Sequence, residues 1–198
     1  MQSWAIKIGG SLYSSKYLKK WLDVIANHPN INIVIIPGGG LFADLVRSTD
    51  KKFNLEQKKA HLMAVMAMQQ YGTMLSSICP SMQLANSKEK ILSLWDQNKT
   101  VIWEPFDMVR NECTLEASWA HTSDSIAAWL TSYMQIDHLL LIKSTDKVIK
   151  NKDFNVLAEH GCIDEALPGL VKKYNLNLNM LHKSNFSEFE NLIKPLEN

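Results

Sequence analysis

Two glycine clusters near the start of the chain are the residues best suited to chemistry. Gly9, Gly10 and Ser11 follow an apolar run at residues 4–8 that contains Lys7, and Gly38, Gly39 and Gly40 follow a second run at residues 31–36. Without a Cβ, glycine lets backbone N–H groups approach an anion closely, and a helix starting just beyond adds its positive end. The pair therefore suggests a phosphate site, with Lys7 supplying a formal cation. Each cluster alone reads equally well as a tight turn. Neither fits the G-x-x-x-x-G-K-[ST] loop or the G-x-G-x-x-G fingerprint.

A third polar cluster, Ser118-Trp119-Ala120-His121-Thr122-Ser123-Asp124-Ser125, precedes an amphipathic stretch with Ile126, Ala127, Ala128, Trp129 and Leu130. Taken alone, Thr122, Ser123 or Asp124 is a good helix N-cap.

Strands are predicted at residues 4–8, 31–36, 101–103, 138–142 and 176–181, and helices at 16–26, 41–47, 55–73 and 125–134. Asn54, with Gln57 three residues later, is the expected cap of the third helix, and that helix's methionines read as core filler. The alternation implies an α/β fold, a three-layer αβα sandwich around a mostly parallel sheet. With 198 residues and no composition break, residues 1–198 are expected to form one domain.

The net charge of +1 gives no global case for nucleic acid or membrane as a partner. The three cysteines are odd in number and lack a C-x-x-C, which argues against a disulfide framework or a zinc site. With no signal-like start and no long apolar run, the expected location is the cytoplasm.

Taken together, these motifs make the chain resemble the amino-acid kinase superfamily, whose members open with K-x-G-G-S, follow with a strand and a G-G-G loop, and carry an aspartate at the start of a later helix. The match runs through KIGGSL, VIIPGGGLFADLVR, SWAHTSDS and IDEALPGLVKK. It is most similar to the branch that phosphorylates aminomethylfuranmethyl phosphate in methanofuran-type cofactor synthesis. The resemblance implies an ATP- and Mg2+-dependent phosphotransferase acting on a small phosphorylated acceptor, commonly as a homo-oligomer. It implies that Lys7 neutralises the transferring phosphoryl group, while Gly9, Gly10 and Ser11 hold the ATP phosphates. Gly38, Gly39 and Gly40 would approach the acceptor with Arg47, His121, Thr122 and Ser123, and Trp119 or Trp103 would pack on a flat ring. Asp124 would orient the lysines, and no protein-held metal is implied.

Where many members read T-D-V-D-G, this chain has Lys143-Ser144-Thr145-Asp146-Lys147. Asp146 stays in register and Lys147 replaces the glycine. By resemblance Lys143, Ser144 and Asp146 belong to the nucleotide side, with a solvated loop as the other reading of Lys143. The second catalytic lysine of the family maps best to Lys172, for which an exposed helix face is the alternative. Glu104 and Asp107 either line the acceptor pocket or satisfy a turn. A non-catalytic nucleotide- or metabolite-binding protein of the same fold is the competing function.

Overall fold

The structure, a computed structural model, describes residues 1–147 and 153–193. Among the described residues six strands run parallel: β1 (Ser3–Ile8), β2 (Asn32–Pro37), β3 (Gln83–Ala85), β4 (Val101–Trp103), β5 (His138–Lys143) and β6 (Leu178–His182). Their order is β3-β4-β2-β1-β5-β6. From β1 the chain winds outward to β2, and it later returns to β1's other side with β5. The crevice beyond the carboxyl ends of β1 and β5 is therefore a switch point, where open parallel sheets bind ligands.

Helices α1 (Leu18–Ala26), α2 (Gly40–Phe53), α3 (Gln57–Ile78), α4 (Lys88–Trp95), α5 (Phe106–Glu112), α6 (Ser123–Met134), α7 (Phe154–Glu159), α8 (Leu167–Tyr174) and α9 (Phe186–Ile193) cover the sheet. Successive strand residues go to opposite faces, so each central strand feeds two cores. Trp4, Ile6 and Ile8 of β1 pack with Trp21 of α1 and Phe189 of α9. Ala5 packs on the other side with Ile126 and Leu130 of α6 and Leu167 of α8. Each buried Ile or Leu among these contributes about 1.5–3 kcal/mol relative to exposure. Lys7 shares the face of Ala5, and Lys143 that of Leu139 and Leu141, so both point toward α6. Among the described residues no helix is long and apolar enough to cross a membrane.

Several boundaries differ from the sequence reading. Asn54 does not start α3: its φ of 48° ends α2, with its N–H donating to the Asp50 carbonyl at 2.7 Å, and Glu56 precedes the next helix. Asparagine tolerates this left-handed conformation, so it serves as a stop. The methionines of α3 are divided, with Met68 buried and Met66 exposed. The predicted helix at 41–47 runs to Phe53, because nothing before Asn54 breaks it.

Candidate active site

Three side chains converge at the switch point. Asp124, the second residue of α6, accepts from Lys7 Nζ at Oδ1 (2.7 Å) and from Lys143 Nζ at Oδ2 (2.5 Å). All three are buried. Burial alone would push the Asp124 carboxyl up, but the Lys143 and Lys7 ammonium groups hold it well below the usual carboxylate range. Burial lowers the Lys143 ammonium, and Asp124 opposes that shift. Lys143 is thus the last residue of a central strand rather than a solvated loop lysine.

The two glycine loops cross backbone to backbone beside this trio. A Cβ on Gly38 would stand 2.4 Å from the Gly10 nitrogen, and one on Gly10 would stand 2.3 Å from the Gly40 nitrogen. The Gly38 N–H donates to the Ile8 carbonyl at 2.9 Å. The glycines therefore hold the loops in register with each other. Gly38→Ala is expected to cost at least 2 kcal/mol, about the scale of overpacking, because the clash is with backbone and no side chain can swing away. Denaturant unfolding measures it, and a stability within about 0.5 kcal/mol of the parent, the scale of a neutral surface change, would show that the crossing can relax.

On either side of the crossing lies a cavity. One, of about 320 Å³, is lined by Gly39, Gly40, Arg47, His61, Trp119, His121, Thr122 and Ser123. The other, of about 310 Å³, is lined by Lys7, Gly9, Lys143, Ser144, Lys147 and the turn His160, Gly161 and Cys162. Gly10 and Ser11 line both. The Ser144 hydroxyl donates to the Ser11 hydroxyl at 2.7 Å, tying the β5 loop to the β1 loop. In the first cavity the Arg47 guanidinium lies 4.8 Å from the Trp119 ring centre, and Trp119 Nε1 donates to Asp50 Oδ2 at 2.7 Å. His121 Nδ1 is 3.2 Å from Ser118 Oγ.

Other candidates lie elsewhere. Lys172 occupies the last turn of α8, whose buried residues are Leu167 and Leu170; that packing turns Lys172 outward, into a hollow with Asp153 and Phe154 away from Lys7 and Asp124. Asp146 is exposed, with Oδ1 3.2 Å from His182 Nε2, and lines neither cavity. Trp103 is fully buried in the core, and its Nε1 donates to the Met108 sulfur. Asp107 accepts from Asn86 Nδ2 at 3.2 Å beside the first turn of α5, and neither it nor Glu104 reaches the cavities.

Two residues went unnoticed in the sequence. His61, buried on α3, faces the first cavity, and burial lowers its imidazole. Asp164, between α7 and α8, accepts from the N–H groups of Thr122 and Ser125 at the start of α6. Asp164 lies within the IDEALPGLVKK segment without being singled out there, and His61 stands in no motif; only the tertiary fold brings both to α6 and the first cavity. Among the described residues no group of three or more His, Cys, Asp or Glu is placed to hold a metal ion.

Residues 3–159 match the profile of the Amino acid kinase family. The chain is 30% identical over 185 residues to [5-(aminomethyl)furan-3-yl]methyl phosphate kinase of Methanocaldococcus jannaschii, covering 87% of this chain and 84% of that protein. The structure superposes on UMP kinase from Ureaplasma parvum with a TM-score of 0.70 at 16% identity, covering 98% and 95% of the two chains. UMP kinase from Bacillus anthracis gives 0.69 at 14% identity, covering 96% and 91%.

Proposed function

The chain belongs to the amino acid kinase family, and from that premise we propose that it transfers the γ-phosphoryl group of ATP to the phosphate of a small aminomethylfuran monophosphate, giving ADP and a furan diphosphate. It is a kinase, and hence a phosphotransferase. What carries the phosphoryl-transfer reading is the shared wall: two cavities of similar volume meet at Gly10 and Ser11, and the buried ammonium groups of Lys7 and Lys143 line the second of them.

ATP phosphates would lie in the second cavity, against Lys7, Lys143, Ser144 and the Gly9-Gly10-Ser11 backbone. The acceptor would lie in the first, its phosphate toward Arg47, His121, Thr122 and Ser123 and its ring beside Trp119. An acceptor phosphate oxygen attacks the γ-phosphorus, a new P–O bond forms, the bond to the β-bridging oxygen breaks, and ADP departs. That oxygen is largely unprotonated near neutral pH, so no strong base is required. Asp124, with both oxygens engaged by lysines, accordingly orients the two cations that meet the developing charge. With those oxygens occupied, this chain suits magnesium only as the nucleotide's own counter-ion, which would neutralise charge between the phosphates. The apolar side chains exposed on α2 and α3, Leu41, Leu45 and Met66, favour a homo-oligomer.

Purified protein given ATP, magnesium and a panel of acceptors tests the reading. ADP and furan diphosphate are expected by mass spectrometry, with higher kcat/KM for the furan monophosphate than for isopentenyl phosphate or acetylglutamate. Faster turnover of isopentenyl phosphate would overturn the acceptor. ATP binding with no ADP formed for any acceptor would favour a non-catalytic binding protein.

A further inference from the structure

The amino end of α6 is capped from outside its own sequence. Thr122 has the extended backbone of an N-cap residue, yet its side chain makes no cap bond to the helix. Its hydroxyl instead donates to Asp164 Oδ1, while Asp164 Oδ2 accepts from the N–H of Thr122 at 2.8 Å and of Ser125 at 2.9 Å. Three donors around Asp124 thus converge on one carboxylate 39 to 42 residues away in sequence.

The segment that carries Asp164 is itself anchored. Ile163 and Leu167, on either side, are buried in the core against α6, and the Leu167 N–H donates to the Asp164 carbonyl at 3.1 Å. Just before it, the turn His160, Gly161 and Cys162 forms part of the wall of the lysine-lined cavity.

We propose that Asp164 is a positioning residue for phosphoryl transfer: by holding the first turn of α6, it sets the Asp124 carboxylate between Lys7 and Lys143 and ties that placement to the wall of the nucleotide cavity. The proposal rests on the kinase reading above. Asp164 touches neither cavity directly, so it acts through Asp124. Burial and the neighbouring Asp124 charge push the Asp164 carboxyl up, opposed by its bonds to Thr122 and Ser125 and by Lys7.

Asp164→Asn separates positioning from stability. Asparagine retains one acceptor oxygen, and the freed Thr122 hydroxyl is a competent N-cap for its own helix, so α6 is expected to stay folded. The Asp124 carboxylate would shift by a fraction of an ångström. A small misplacement of catalytic groups costs up to about a hundredfold in rate. The expected result is a kcat lower by roughly 10- to 100-fold, with KM for ATP and for acceptor within about twofold, an ordinary measurement margin against that loss, and an unchanged calorimetric stoichiometry for a non-hydrolysable ATP analogue. Asp164→Ala, which removes both acceptor oxygens, is expected to lose more kcat with the same KM values. Unaltered kcat in both variants would overturn the proposal. So would a kcat loss proportional to the loss of binding-competent protein, or two variants that fail to fold, because each describes a merely structural residue. Parent turnover is the control: a parent that turns over no acceptor sinks the kinase reading itself, whereas an active parent with an equally active Asp164→Asn sinks only this inference.

Discussion

Lys7→Ala is expected to reduce kcat by about a thousandfold, the scale of removing one donor or cation aimed at charge developing in a transition state. Lys7 lines the second cavity, and its ammonium is held by Asp124 Oδ1 at 2.7 Å. A preset charge of this kind needs no reorganisation during reaction. Lys7 is a buried strand residue paired with a buried carboxylate. Its removal leaves Asp124 with one partner and should therefore also destabilise the protein, toward the lower end of the roughly 3–5 kcal/mol for breaking a buried ion pair. Turnover at saturating substrates, measured well below the variant's own melting temperature, isolates the chemical effect. Parental kcat in a destabilised variant would remove Lys7 from the chemistry.

Asp124→Asn carries the largest expected loss of stability. Two buried ammonium groups would face a neutral amide, and an uncompensated buried charge costs about 3–5 kcal/mol. Capping does not enter this difference, because the N–H groups at the start of α6 bond to Asp164. For the parent, the depressed Asp124 pKa means stability that is present above the unfolded carboxylate's range and lost as the pH falls through the folded value. The variant lacks that acid dependence. Its kinetics should shift in the opposite sense: without Asp124, burial deprotonates Lys143 more readily, so the remaining activity should fall off at a lower pH than the parent's as the pH is raised. Stability equal to the parent's by urea unfolding, together with a parental pH profile, would mean that the trio is not electrostatically coupled.

Strand positions and the lysine–glycine motif were legible because they are local. β1, β2, β4 and β5 each announce themselves as apolar runs, and the motif residues Lys7, Asp124 and both glycine loops come together at the strand ends. What the sequence concealed was relational. Lys143 reads as a loop residue because its strand ends on a charge, and only the register of β5 against β1 turns it toward Asp124. Lys172 has the favourable local motif, but α8 packs through Leu167 and Leu170 and faces it outward. His61 belongs to no pattern, and Asp164, though inside IDEALPGLVKK, shows no role there, since the partners of both lie on other elements. The three-residue edge strand β3 is too short to give a periodic signal.

The order of strands also constrains when the site comes into being. β1 and β2 are close in sequence and can bring the two glycine loops together early. The Lys7–Asp124 contact instead closes a separation of 117 residues, and β5 must dock on the far side of β1 before Lys143 can join it. Such long-range parallel pairings pay their loop-closure entropy before they gain contacts, and they form slowly. A refolding chain is therefore expected to complete the charge trio after the β1–β2 pairing. Assembly of the Lys7–Asp124–Lys143 trio is thus expected late in folding, once the second half of the chain has closed onto the first.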